Sequence, residues 1–249
     1  MQLSLSRTGA ALALLLLAGC ADSEPGPAPP AERSAASVTP PAEPGVPSHE
    51  APAPPVEGSG PLVIFLGDSL TAGLGLEAGQ AYPALVREGL RERGIEVRVL
   101  NAGVSGDTSA GGLSRLEWLL RQEPDVVVIA LGGNDGLRGL PVSMSRENLR
   151  ETILKSYDAG AGVLLAGMTI PPSYGPDYVE AFRAIYPKLA RETGVMLLPF
   201  LLEGVAADPA LNQEDGIHPN AAGQRILAAN VVPYVAEILI ERGAKSPER

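Results

Sequence analysis

Residues 62–73 read Leu62-Val63-Ile64-Phe65-Leu66-Gly67-Asp68-Ser69-Leu70-Thr71-Ala72-Gly73. Five apolar residues in succession, with no alternation, predict a strand covered on both faces, as in a parallel sheet. Small and polar residues follow at once, where glycine lets the backbone turn sharply. The pattern recurs along the chain. Apolar runs at 97–100, 126–131, 163–166 and 195–198 alternate with helical patterns at 82–93, 111–122, 146–159 and 177–193, and a helix at 219–240 closes the chain. Five β-α repeats with right-handed crossovers predict a three-layer α/β/α sandwich around a five-stranded parallel sheet. Ligands of such sheets sit outside the carboxyl ends of the strands, so the segments after each strand are where chemistry is expected.

Upstream of this domain the composition changes. Arg7 precedes an apolar run at 9–19, Gly-Ala-Ala-Leu-Ala-Leu-Leu-Leu-Leu-Ala-Gly, which ends at Cys20, the one cysteine in the chain. Eleven residues are too few to span a bilayer, which takes about 20. A short run behind a basic residue and ending in small residues reads as an export signal. Leu17-Ala18-Gly19-Cys20 is similar to the bacterial lipoprotein box, which implies lipidation of Cys20 after removal of 1–19; the alternative is an ordinary cleaved signal with an incidental cysteine. Residues 21–60 hold eleven prolines and no Leu, Ile or aromatic residue. Such a segment buries too little apolar surface to offset its ordering entropy and is expected to be a disordered tether with a coil reach of about 35 Å. The expected organisation is therefore a signal at 1–19, a lipidated cysteine and tether at 20–60, and one domain at 61–249. The expected location is the cell envelope, on the periplasmic side and held to a membrane through Cys20.

Charge and composition narrow the function. The 249 residues carry 29 acidic and 19 basic side chains, a formal charge of -10. No surplus of Lys and Arg exists to neutralise phosphates, which argues against nucleic acid as a partner. Six acids and a single arginine lie within 21–60, so much of the acidity belongs to the tether and says little about substrate. One cysteine excludes an intrachain disulfide and a cysteine-built zinc site. Of two histidines, His49 lies in the tether, which leaves His218 as the imidazole available for acid–base work near neutral pH.

Four blocks at the predicted strand ends hold the polar groups: Gly67-Asp68-Ser69-Leu70, Ser105-Gly106-Asp107-Thr108, Gly132-Gly133-Asn134-Asp135 and Asp215-Gly216-Ile217-His218-Pro219-Asn220. Ser69 is a nucleophile only beside a base, and by elimination that base is His218. Asp215, three residues earlier, is placed to accept from the imidazole Nδ1–H and set its tautomer, as in a Ser-His-Asp triad. Donors for a developing oxyanion are the N–H groups of Ser69 and Gly106 and the side-chain amide of Asn134. Each residue also has a plain structural reading. Ser69 could cap a turn, Asn134 could belong to a tight turn, Asp215 could be a helix N-terminal charge, and His218 could simply precede a helix. Their joint occurrence at strand and helix ends favours catalysis. Asp68 and Asp107 are expected to bond nearby backbone N–H groups.

These blocks, with Ser105-Gly106-Asp107-Thr108-Ser109, Leu131-Gly132-Gly133-Asn134-Asp135-Gly136-Leu137-Arg138-Gly139 and Ala184-Ile185-Tyr186-Pro187-Lys188-Leu189-Ala190, resemble the SGNH (GDSL) hydrolase family across 61–249, and within it the acyl-CoA thioesterase I/arylesterase branch. The resemblance implies a flavodoxin-like sheet of order 2-1-3-4-5, Ser69 as nucleophile, Gly106 and Asn134 as oxyanion donors, Asp215 and His218 completing the triad, and no metal or cofactor. It implies an acyl-enzyme that hydrolyses carboxylic esters or thioesters: aryl esters, short- to medium-chain acyl esters and lysophospholipids. Thr71 stands where α/β-hydrolases carry the last glycine of their Gly-x-Ser-x-Gly elbow, so that family is not matched. Leu74, Leu76, Leu137, Leu140, Ile170, Pro171 and Tyr174 are candidates for an acyl groove. Alternatives are a carbohydrate deacetylase of the envelope, a binding lipoprotein without activity, or a magnesium-dependent phosphoacceptor at Asp68. The domain is expected to be a monomer.

Overall fold

The computed structural model describes residues 60–243; the expectations for the signal, Cys20 and the tether lie outside the described residues. Strand β1 (Leu62–Gly67) is followed by a single-turn helix α1 (Ser69–Ala72) and then α2 (Tyr82–Glu92). The chain continues through β2 (Arg98–Gly103), α3 (Ser109–Leu120), β3 (Val126–Ala130), α4 (Gly133–Leu137), α5 (Val142–Asp158), β4 (Gly162–Ala166), α6 (Pro176–Arg183), α7 (Ile185–Thr193), β5 (Met196–Leu198) and α8 (Ala221–Glu241). All four strand pairings are parallel, in the order β2-β1-β3-β4-β5. Phe65 of β1 faces Asn101 of β2 on one side and Val128 of β3 on the other.

Every residue of β1, β3 and β4 is buried, which is why those runs are apolar throughout. The edge strands β2 and β5 are only half-buried. Helix α2 packs on α8, while α3 packs on α5 and α5 on α7. The apolar stripe of α2, Tyr82, Val86 and Leu90, repeats every fourth residue and is fully buried. Gly89 lets α2 approach α8 closely, since a Cβ there would lie 2.8 Å from a methyl of Val232.

The sequence pattern at 177–193 predicts one helix, and the structure has two, broken at Ala184. Pro187 explains the break: it lacks the N–H that would pair with the carbonyl of Arg183, and its ring crowds that carbonyl. A new helix starting at Ile185 places the proline in the first turn, where no such bond is needed. Strand β2 also runs on to Gly103, past the expected end at 100.

Candidate active site

The turn from β1 into α1 sets the first group. At Gly67 a Cβ would lie 2.0 Å from the Thr71 hydroxyl, and at Gly103 one would lie 2.2 Å from the Ala72 backbone nitrogen. Two glycines therefore let α1 sit directly on the ends of β1 and β2. Asp68 caps α1 by accepting from the Leu70 N–H at 3.0 Å, and Gly73, at φ 73°, ends it in the left-handed region. Ser69 is held at this turn, 8% exposed. The Thr71 and Tyr82 hydroxyls bond at 3.0 Å beneath it.

The second group comes from the turn before α8. The Gln213 N–H donates to the His218 carbonyl at 2.8 Å, the Asn220 N–H donates to the Leu211 carbonyl at 2.9 Å, and Gly216 turns the chain at φ 70°. Asn220 then starts α8 by accepting from the Ala222 and Gly223 N–H groups. Two glutamines bind this segment to the Ser69 turn. Gln213 donates to the Leu74 carbonyl at 2.7 Å. Gln224 accepts from the Tyr82 N–H at 2.8 Å and donates to the Leu70 carbonyl at 3.2 Å.

The result is a continuous relay. His218 Nε2 lies 2.9 Å from Ser69 Oγ, and His218 Nδ1 lies 2.6 Å from Asp215 Oδ2. Asp215 Oδ1 accepts from the N–H groups of Ile217 at 2.9 Å and His218 at 3.0 Å. Those bonds, first the His218 N–H and then its ring, hold the Asp215 carboxyl down at about 2. It therefore stays an anion facing the imidazole throughout the neutral range. A hydroxyl, an imidazole and a fixed carboxylate in this order can transfer the serine proton to the ring.

Two further loops carry the remaining candidates. Gly106, at φ 81°, sits in the turn after β2, and its carbonyl accepts from Arg138 at 2.8 Å. Among the described residues, neither the Ser69 N–H nor the Gly106 N–H is given to an acceptor. Asn134 follows Gly132 and Gly133 at the start of α4. Gly132 is required twice over: its φ is 106°, and a Cβ there would lie 2.4 Å from the Tyr186 hydroxyl, which donates to the Leu131 carbonyl. The Asn134 amide nitrogen donates to the Asp107 carbonyl at 2.9 Å and to Asp68 Oδ2 at 3.2 Å. The structure thus joins Ser69, His218 and Asp215 in one relay and sets Asn134 on Asp68, the residue before Ser69, with Gly106 next in the chain to Asp107, whose carbonyl Asn134 also bonds.

Several supports were not legible in the sequence. Arg115 joins Asp107 Oδ2 at 2.8 Å to the Gly67 carbonyl at 3.0 Å. Buried Asp135 accepts from the Ser109 N–H at 2.8 Å, the Ser109 hydroxyl and the Ser145 hydroxyl at 3.0 Å, fastening α4 to α3 and α5. Asp107 accepts from the Thr108 N–H as expected; Asp68 bonds Leu70 as expected but also Asn134. Of the groove candidates, Ile170 is core rather than surface: it is buried, and a Cβ at Gly136 would lie 2.4 Å from it. Leu74 and Tyr174 are exposed, as are Val104 and Ile217, which sequence reading passed over. A cavity of about 360 Å³ lies beside the Asp215 turn, lined by residues including Asp208, Gln213 and Gly216 but not by Ser69 or His218.

Known proteins resemble this chain in sequence and fold. The model of the GDSL-like Lipase/Acylhydrolase family matches residues 65–226. The chain is 47% identical over 178 residues to the esterase TesA of Pseudomonas aeruginosa, covering 71% of this chain and 89% of that protein. It is 46% identical over 167 residues to the thioesterase 1/protease 1/lysophospholipase L1 of Escherichia coli K12, covering 67% and 79%. A crystal structure of TesA superposes with a TM-score of 0.69 at 46% identity, covering 72% of this chain and 99% of that one.

Proposed function

From the chain's membership of the GDSL-like lipase/acylhydrolase family, we propose that it is a serine esterase that hydrolyses carboxylic esters and thioesters through an acyl-enzyme on Ser69. The observation that carries this reading is the 2.9 Å approach of His218 Nε2 to Ser69 Oγ, with Asp215 on the far nitrogen of the ring. His218 takes the Ser69 proton as Oγ attacks the acyl carbon. The imidazolium so formed faces the Asp215 anion, which also fixes its tautomer. Negative charge moves to the former carbonyl oxygen, where the N–H groups of Ser69 and Gly106 and the Asn134 amide receive it. His218 then protonates the departing alkoxide or thiolate. In the second half, His218 deprotonates a water that attacks the acyl-serine, and Ser69 regains its proton as it leaves. Every step uses groups of this chain.

The relatives' names, an esterase in one case and a thioesterase and lysophospholipase in the other, support an acyl substrate. So do the exposed side chains of Leu74, Val104 and Ile217. Each belongs to a segment tied to the site, because the Leu74 N–H bonds the Ser69 carbonyl, the Val104 N–H bonds the Gly67 carbonyl, and Ile217 adjoins His218. Short- to medium-chain acyl esters, aryl esters and lysophospholipids fit such an open apolar rim. The basic residue at 7, the apolar run at 9–19 and the one cysteine at 20 support export and a lipid anchor. On that reading the enzyme is a monomer in the envelope, acting on esters there. The test is hydrolysis of p-nitrophenyl butyrate by residues 61–249 and by Ser69→Ala; turnover must vanish in the variant, and equal rates would remove the assignment. Incorporation of labelled palmitate into the full chain, and its loss in Cys20→Ala, tests the anchor.

A further inference from the structure

The Asp68 carboxylate takes no part in the proton transfers above, yet it is buried beside them, only 2% exposed. As a helix cap it needs one oxygen, and Oδ1 supplies it to Leu70. Serine or asparagine would cap as well without bringing a charge out of water. The second oxygen faces Asn134. The two protons on the Asn134 nitrogen go to Asp68 Oδ2 and to the Asp107 carbonyl, so the amide meets an acceptor on each side.

Resting on the reading of Asn134 as an oxyanion donor, we infer that Asp68 is a positioning residue of the oxyanion hole, fixing with the Asp107 carbonyl which end of the Asn134 carboxamide faces the reacting oxygen. A carboxamide exchanges its oxygen and nitrogen by a half-turn about a broad, roughly two-fold torsion. With acceptors at both positions, the flipped amide would set its own oxygen against a carboxylate and a carbonyl. The amide is therefore locked with nitrogen toward them. Of the two bonds, the one to Asp68 is longer, 3.2 against 2.9 Å. Its proton is the one that an oxyanion forming at Ser69, the residue next to Asp68, can share. Asp68 holds the donor ready on an anion, and the amide need not reorient when charge develops on the substrate.

The test uses the full chain, with kcat and KM for p-nitrophenyl butyrate measured in Asp68→Asn, Asn134→Ala and the double variant. Asparagine at 68 has one acceptor for two N–H groups, so either Leu70 or Asn134 then meets a donor. The expected result is a loss of kcat of about 10- to 100-fold with KM within about twofold, against about 10²–10³ for Asn134→Ala. The double variant should be no slower than Asn134→Ala alone, within about threefold, because Asp68 acts through the residue already removed. Asp68→Ser keeps the cap but cannot reach Asn134, and the same loss is expected of it should Asp68→Asn fail to fold. An unchanged kcat in either variant, or losses that multiply in the double variant, would overturn the inference. Wild-type rates in Ser69→Ala would instead unseat the serine mechanism, a result distinct from a silent Asp68→Asn in an enzyme that Ser69→Ala inactivates.

Discussion

Replacing Asp68 by asparagine should change how the stability of the domain depends on pH, and the size follows from its surroundings. Burial raises this carboxyl from 3.8 to about 6, and the Asp107 charge pushes the same way; the Leu70 N–H and His218 act against them. The hydroxyls of Tyr82 and Tyr186, which also feel Asp68, are themselves held protonated by burial. The folded protein thus binds the Asp68 proton below about pH 6, and the unfolded chain only below about 4. Between those limits the folded state carries the extra proton, so acidification stabilises it and raising the pH withdraws that stability. At about 1.4 kcal/mol per pH unit over about two units, the full change is about 3 kcal/mol. Asp215, held down at about 2, acts below that window, and its contribution is shared by both proteins and cancels in the difference. Urea unfolding of residues 61–249 at intervals from pH 4 to 7.5, wild type beside Asp68→Asn, reads it directly. The wild type should lose about 2.4 kcal/mol more than the variant between pH 4 and 7.5, the rest of the change lying below pH 4. Parallel curves would refute the reasoning, because they would mean that Asp68 is as well solvated folded as unfolded.

Three further outcomes are expected. Asp215→Asn can keep the two backbone bonds to Ile217 and His218 through its carbonyl, but it turns an amide toward Nδ1 and so forces the other tautomer. kcat should fall by about 10⁴ while the unfolding midpoint moves only a few degrees, and retention of a tenth of the activity would rule out the relay. Asn134→Ala should cost about 10²–10³ in kcat at nearly constant KM, read from p-nitrophenyl butyrate kinetics; a rise in KM alone would make Asn134 a binding group instead. Gly103→Ala sets a Cβ 2.2 Å from the Ala72 backbone nitrogen, and backbone yields less readily than a side chain. A stability loss of about 1–3 kcal/mol by urea unfolding should come with a fall in kcat as α1 carries Ser69 away; full activity would show that α1 is not held by β2.

Local patterns made much of this legible. Uninterrupted apolar runs at 62–66, 126–131 and 163–166 mark strands because both of their faces are covered, and the structure buries every residue of β1, β3 and β4. Asp215 and His218 are readable together because three residues of turn suffice to bring a carboxylate to an imidazole. Scarcity of histidine then pointed that imidazole at Ser69. The missed features are polar pairs distant in sequence: Asn134 with Asp68 across 66 residues, Gln224 with Leu70 across 154, and Asp135 with Ser109 across 26. Each partner is an ordinary residue in its own local context, and no periodicity couples the two. Ile170 misled for the opposite reason. It is loop-like in sequence, yet the missing side chain of Gly136 opens a slot for it in the core.

The order of the strands explains why these particular blocks meet. Neighbouring strands lie about 4.8 Å apart. Because β1 lies between β2 and β3, the loops after β2 and β3, with Gly106 and Asn134, each stand one strand from Ser69. In a sheet laid down in chain order, the loop after β3 would stand about 10 Å away, beyond the reach of an asparagine side chain. The reversal of winding at β1 is therefore what allows the proposed three-donor hole. The base has the opposite problem. Strand β5 ends three strands from β1, about 14 Å off, and the chain from 199 to 220 must return across the sheet ends to bring His218 to Ser69. Little of that segment is regular structure, so its position depends on cross-links. The Leu201 N–H on the Gly167 carbonyl and Asn230 on the Leu201 and Glu203 carbonyls hold its start, while Gln213 to Leu74 and Gln224 to Leu70 and Tyr82 hold its end on the Ser69 side. Ser69 is thus placed by the sheet, and His218 in part by bonds to the loop that carries Ser69.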